Sequence, residues 1–274
     1  MNSFALKARK FMLASVNTAY TSQEGILTLQ KAFSTGVPYK HIVMDDFLVA
    51  DFAQTLHDNF PSIDKLNKHY KGLNENKSEG SNFQDFHPIL TQVRELVMSK
   101  TFNAWLAEVT GVQGIFVTDD KLGTGLHQGG NGSFLDIHID FNIHNTLDVH
   151  RRLNMLIYLN QNWQTEYGGD LEMWDAKMTK CEKKVAPLFN RCVVFETNEI
   201  SYHGYSKTTL PAGVTRKSFY TYFYTEMRDG AKGYHDTVFK AKPTDTTAKK
   251  ITTSLKENTK NFIKAQLKKI GINV

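Results

Sequence analysis

Residues 134–142 read FLDIHIDFN. They lie in a short β-rich run over 134–140, and in a strand the residues i and i+2 point to one face. His138 and Asp140 therefore project together. Alone, this spacing also fits a surface strand whose histidine and aspartate pair with each other, because an H-x-D match recurs by chance. A metal site needs a third donor from elsewhere in the fold, and His203, in SYHGYS (residues 201–206) on a later predicted strand, is the candidate. Two imidazoles and one carboxylate on one face match the facial arrangement that holds non-haem Fe(II) and leaves neighbouring coordination positions open.

Thirteen residues beyond His203 stands Arg216, opening the run RKSFYTYFYT (residues 216–225). Arg216 and Ser218 are again i and i+2. A guanidinium grips a carboxylate through two parallel hydrogen bonds, and a neighbouring hydroxyl can add another. A strand-edge salt bridge is the alternative, although an arginine turned inward in so aromatic a run must find a partner.

Around these residues, β-rich runs separated by turn residues are predicted at 115–118, 122–127, 152–159, 170–174, 191–196, 201–206 and 216–225. Such spacing points to an all-β sandwich or barrel. Helical patterns come before it: residues 1–35, a short helix over 51–60 stopped by Pro61, and a period over 87–109. YKHIVMDDFL (39–48) reads as a strand. Residues 62–86, rich in Asn, Lys, Ser and Gly, read as a long loop that contributes to substrate capture. The expected organisation is an N-terminal helical extension (1–36), one domain over 37–239 with its β core at about 115–226, and a basic amphipathic helix over 240–274.

The chain has 274 residues and a formal charge of +5. Residues 240–274 carry +7 of it and the remainder −2, so the basic balance belongs to the last helix. The expectation is an apolar stripe (Ile251, Leu255, Phe262, Ile263, Leu267 and Ile270) docked on the domain or on a second copy as a homodimer, with the lysines as a solvated face. No nucleic-acid partner is expected, since nothing interleaves aromatic and basic residues. No apolar run reaches the ~18 residues of a membrane span. Cys181 and Cys192 are the only cysteines, which favours two reduced thiols in a cytoplasmic protein. The acid-free N-terminus reads as a plain helix or as a transit segment.

The ordered series VPYKHIVMDDFL, LHQGGNGSFLDIHIDFN, RRLNMLIYLNQNWQTEYGGDLEMWD, NRCVVFET, SYHGYS and RKSFYTYF resembles the 2-oxoglutarate and Fe(II)-dependent oxygenases, in the branch related to prolyl 4-hydroxylase. The resemblance spans about residues 37–226. It implies a mainly β fold with flanking helices, around a double-stranded β-helix core (jelly roll, cupin-like). It implies iron ligands at His138, Asp140 and His203. Arg216 matches the residue that binds the distal carboxylate of 2-oxoglutarate, Ser218 the small polar residue beside it, and Asn154 and Tyr158 lie on the strand that lines the co-substrate pocket. Fe(II), 2-oxoglutarate and O2 are the implied cofactors, with ascorbate in support. The implied reaction is hydroxylation of an unactivated C–H bond, with succinate and CO2 as co-products. A carboxylate at Asp140 favours hydroxylation over halogenation, because related halogenases carry Ala or Gly there.

Prolyl hydroxylases of that branch often carry a co-substrate tyrosine shortly before the first iron histidine. Here His127 and Gln128 occupy that region, which shifts the expected substrate toward a small molecule or amino acid, with a prolyl side chain in a protein as the alternative. A cupin-like metal-binding protein without activity and a zinc hydrolase remain rivals, although the second leaves Arg216 unexplained. His144 and His150 read as loop histidines more than as ligands. Arg151 or Arg152 either meets an anionic substrate or anchors the strand start. The aromatics Trp163, Tyr167, Trp174, Phe219, Tyr220, Tyr222, Phe223 and Tyr224 read mostly as core. Gly168-Gly169-Asp170 reads as a tight turn.

Overall fold

The structure, a computed structural model, describes residues 13–227 and 233–269, and of the last helix the side chains up to Glu257 and that of Thr259. The basic segment 1–12 and the side chains of Phe262, Ile263, Leu267 and Ile270, part of the expected C-terminal stripe, lie outside it. The described chain opens with helices α1 (Thr18–Thr21) and α2 (Gln23–Ser34), strand β1 (His41–Met44) and helix α3 (Ala50–Asp58). Strands β2 (Lys68–Lys71) and β3 (Glu75–Gly80) follow, then helices α4 (Pro88–Met98) and α5 (Lys100–Thr110). The β-rich part holds β4 (Thr124–Gly129), β5 (Phe134–Ile139), β6 (Val149–Tyr158), β7 (Leu171–Trp174), β8 (Cys181–Val185), β9 (Arg191–Glu196), β10 (His203–Tyr205) and β11 (Arg216–Glu226). Strand β12 (Val238–Phe239) and helix α6 (Thr247–Lys269) end it.

The strands form one curled antiparallel sheet in the order β1-β9-β6-β11-β4-β3-β5-β10-β7-β8, with β2 paired to β3 and β12 to β5. Curling brings a five-strand half (β1-β9-β6-β11-β4) opposite a smaller half (β5-β10-β7-β8), as in a jelly roll. β3 joins the halves, because Ser78–Gly80 pair with β4 while Glu75 and Asn76 pair with β5.

Two-residue alternation sorts the side chains of the large half. On β6, Leu153, Met155 and Ile157 join the helix-facing core, and Leu156 and Tyr158 the inner one. On β11, Phe219 and Phe223 face the helices while Ser218, Tyr220 and Tyr222 line the interior. Phe102 of α5 stacks on Phe223, centroids 6.3 Å apart. A fully buried aromatic contributes about 1.5–3 kcal/mol through burial, so the helical layer braces the strands that carry the interior residues.

Several expectations are refined. Residues 62–86 are a β-hairpin flanked by 3₁₀ turns, not a loop. Lys68 and Tyr70 on β2 and Glu75, Lys77 and Glu79 on β3 line a cavity, so the inward face is itself polar and carries no apolar period. The period over 87–109 is two helices. Ser99 leaves the helical region at φ −65° and ψ 142°, and its hydroxyl accepts from the Phe102 amide at 3.1 Å, capping α5. In the described part of the last helix, two residues of the expected stripe face away from the domain. Ile251 and Leu255 point outward, 54% and 61% exposed, while Thr253 is buried and Lys249 pairs with Asp136 of β5 at 2.9 Å. Its contact with the domain is polar. Residues 115–118 form no strand beyond a single bridge between Phe116 and Tyr224.

Candidate metal and co-substrate site

His138 and Asp140 project from β5 and the residue after its end, and His203 opens β10. Because β10 pairs with β5 in the register His203↔His138, the two imidazoles are cross-strand neighbours, with ring centroids 4.4 Å apart. The Asp140 carboxylate closes the triangle, 3.5 Å from His138 Nε2 and 3.4 Å from His203 Nε2. One donor atom from each residue falls within 4.8 Å of the others.

Each imidazole is held from behind. His138 Nδ1 donates to the Asp136 carbonyl and His203 Nδ1 to the Ser201 carbonyl, both at 2.9 Å. A carbonyl only accepts, so each Nδ1 carries the hydrogen and each Nε2 offers its lone pair to the cluster, the tautomer a metal requires. Burial, against the pull of Asp140, lowers the His203 pKa to about 4 and keeps the ring neutral. Burial works against the Asp140 carboxylate, but the Arg151 guanidinium and both imidazoles overcome it and hold the group well below the usual carboxylate range. The donor set therefore fits a divalent iron.

Behind Asp140 lies a buried polar relay. Asn154 Nδ2 donates to Asp140 Oδ2 at 2.7 Å, and Arg151 reaches the same oxygen at 3.2 Å. Arg151 also donates to Asn154 Oδ1 through Nε at 2.9 Å and Nη2 at 2.6 Å. Its guanidinium lies 3.5 Å from the Tyr222 ring centroid and 4.6 Å from that of Phe141. Residues behind a metal ligand typically tune affinity by about 10- to 100-fold. Asn154→Ala is expected to weaken Co(II) binding by about that factor in a titration of the metal-free protein. An unchanged affinity would mean that the relay does not orient Asp140.

A cavity of about 400 Å³ opens from the triad and reaches Arg216, Ser218, Tyr158 and Asn154. Ser218 of β11 pairs in register with His127 of β4 on one side and Tyr158 of β6 on the other. Three hydrogen-bonding side chains thus share one rung, with Arg216 on the next same-facing rung. Arg216 Nε donates to the Gly169 carbonyl at 2.8 Å and Nη2 to Tyr158 Oη at 3.3 Å, while the Tyr205 ring lies 4.1 Å beneath it. Gly169 takes φ +70°, and a Cβ there would meet Thr208 at 2.8 Å and Arg216 at 3.2 Å. The 168–170 turn is therefore needed for the arginine to sit where it does. Ser218 Oγ is buried with no partner, as expected of a group waiting for a ligand acceptor. His127, hydrogen-bonded to Tyr205 Oη at 3.2 Å, is kept neutral by burial and by the nearby Lys77 and Arg216 charges.

Of the remaining candidates, His144 lies against Asp120, 3.0 Å away, and His150 Nδ1 bonds its neighbour's carbonyl. Neither lines the cavity, and neither does Arg152. Tyr220 and Tyr222 do line it, apart from the rest of the aromatic set. Sequence reasoning left Arg151 undecided, and its burial beside Asp140 decides it. It missed the ladder on β3, where Lys77 Nζ lies 2.5 Å from Glu79 and 3.5 Å from Glu75. Burial disfavours the Lys77 charge, yet the two carboxylates outweigh that and raise its pKa.

A family profile described as the 2OG-Fe(II) oxygenase superfamily matches residues 124–224, the stretch that holds the triad and Arg216. Over this stretch the chain is similar to that superfamily. Mouse prolyl 3-hydroxylase OGFOD1 is 26% identical over 192 residues, which cover 68% of this chain and 33% of that protein. The chain thus spans about a third of the length of this curated relative. Among solved structures, a Trichoplax adhaerens prolyl hydroxylase in complex with a hypoxia inducible factor peptide fragment aligns with a TM-score of 0.50 and 14% identity. The match covers 82% of this chain and 94% of that one. HygX from Streptomyces hygroscopicus, solved with nickel, 2-oxoglutarate and hygromycin B, aligns with a TM-score of 0.49 and 12% identity, over 78% and 96% of the two chains. The likeness to the Trichoplax structure is one of fold, and it covers most of this chain.

Proposed function

We propose that the protein is an Fe(II)- and 2-oxoglutarate-dependent dioxygenase that hydroxylates an unactivated C–H bond of a polar small molecule or amino acid. The observation that carries this reading is the single cavity shared by a buried His/Asp/His cluster and a buried arginine beside an unpartnered serine hydroxyl. His138, Asp140 and His203 hold the metal. Arg216 takes the distal carboxylate of 2-oxoglutarate, Ser218 adds a hydrogen bond to it, and Tyr158 steadies the guanidinium. Asn154 and Arg151 fix Asp140, so Asn154 reaches the co-substrate through the ligand it orients. When bound, iron with 2-oxoglutarate and O2 supplies the oxidising chemistry. One oxygen atom leaves in succinate and the other in the alcohol, with CO2 released. The cavity walls keep water away from the reacting C–H bond.

The charged ladder of β3 on the cavity wall supports a polar substrate, because paired side chains on a pocket wall select for groups that can replace water at them. The name of the mouse relative favours a second reading, hydroxylation of a prolyl side chain in a protein. Incubation of the purified protein with Fe(II), 2-oxoglutarate and ascorbate, with either free amino acids or proline-containing peptides, separates the two by succinate released above the substrate-free rate. Absence of both metal and 2-oxoglutarate binding in calorimetry sinks the oxygenase reading altogether. Neither cysteine is in a disulfide, which supports a reducing compartment such as the cytoplasm. No helix among the described residues is long and apolar enough to cross a membrane.

A further inference from the structure

Asp136 stands two residues before His138, and its polar groups reach three elements. Its carbonyl holds His138 Nδ1 at 2.9 Å. Its amide donates to the Asn74 carbonyl, in the turn between β2 and β3, at 2.8 Å. Its carboxylate takes Lys249 Nζ of α6 at 2.9 Å. One helical turn on from Lys249, Thr253 donates to Asn74 Oδ1 at 3.3 Å, so α6 touches the hairpin turn directly as well. Asn74 and Thr253 are 1% and 3% exposed, which places these contacts in the interior. The chain leading into α6 holds the same strand. β12 pairs Phe239 with His138, Lys240 N donates to Ile137 O at 2.8 Å, and the Phe239 ring lies 5.4 Å from the His138 ring.

We propose that Lys249 is a positioning residue for the metal site. Through Asp136, the C-terminal helix sets the orientation of the His138 imidazole and the seating of the β2–β3 hairpin that walls the cavity. The proposal rests on the reading of His138 as a metal ligand. Among the described residues of α6, it is the Lys249 and Thr253 side that meets the domain. Half-buried ion pairs contribute little net stability, because desolvation offsets much of their attraction. A pair at this junction acts mainly by fixing where β5 and the hairpin turn sit.

The test uses the full-length metal-free protein, titrated with Co(II) and followed by the visible absorption of the bound ion. Backbone amide hydrogen exchange at Asp136 is measured in parallel. Lys249→Met, which keeps the aliphatic stem, is expected to weaken Co(II) binding by about 3- to 10-fold, at or below the low end of effects seen behind a metal ligand. It is also expected to alter the absorption band and to speed exchange at Asp136. Lys249→Arg restores all three. Asp136→Asn combined with Lys249→Met is no worse than the more affected single variant, as expected of residues acting through one contact. Wild-type affinity, band and exchange in Lys249→Met overturn the proposal. So does a loss that Lys249→Arg leaves unrestored. If the wild-type protein itself binds no Co(II), the metal-site reading fails first, and that outcome is separate from the others.

Discussion

His203→Ala loses its iron. The substitution removes one of three donors, and the remaining pair, His138 and Asp140, both come from the β5 segment, so no side chain closes the triangle from the β10 side. Altering residues behind a ligand already costs about 10- to 100-fold in affinity, so deleting the ligand itself is expected to cost more than about 100-fold. The measurement is a Co(II) or anaerobic Fe(II) titration of the metal-free variant, with succinate release as a second readout. Loss of the imidazole also opens space between the rings of His138 and Phe195, 4.4 and 4.7 Å from it. Circular dichroism and thermal unfolding of the metal-free variant therefore accompany the titration. A folded variant that binds metal as tightly as wild type removes His203 from the ligand set.

Arg216→Ala separates the second cofactor from the first. Arg216 is 3% exposed, and Gly169 and Tyr158 fix its Nε and Nη2 edge, leaving its other N–H donors for a carboxylate. Removing one partner of a buried charge pair costs about 2–5 kcal/mol, or about 30-fold to several thousand-fold in 2-oxoglutarate affinity. Co(II) affinity without 2-oxoglutarate is expected to stay at the wild-type value, because the described partners of Arg216 are Gly169, Tyr158 and Tyr205, outside the triad. Arg216→Lys keeps the charge and loses the fork, so its affinity falls between the two. Equal 2-oxoglutarate affinity in wild type and Arg216→Ala would refute the assignment.

The site was legible where sequence spacing maps directly onto geometry. H-x-D on a strand places two donors on one face whatever the rest of the chain does, and Arg216 and Ser218 follow the same rule. His203 required the ordered series of strands, because its register against His138 is a long-range fact. Arg151 stayed ambiguous because its role depends on Asn154, Phe141 and Tyr222, which only the folded sheet brings together. The β2–β3 hairpin escaped because strands are read from apolar alternation, and a strand whose inner face lines a polar cavity has none. Helix α6 meets the domain in a way its apolar period does not announce. Its first two apolar residues face outward, and the contacts described at its start are ion pairs with Asp136 and Glu172, the latter made by Lys242 just before the helix. The break at Ser99 was written in a serine that an uninterrupted apolar set overshadowed.

β3 stitches the two halves of the sheet together, and the cavity takes side chains from elements between residues 68 and 239. An unfolded chain therefore holds no assembled pocket. A ligand that prefers the native state stabilises it by mass action, by up to about 2.7 kcal/mol at a ligand concentration one hundred times its dissociation constant. Melting temperature thus becomes an assay that needs no substrate: unidentified compounds can be ranked by the shift they add to the metal- and co-substrate-loaded protein.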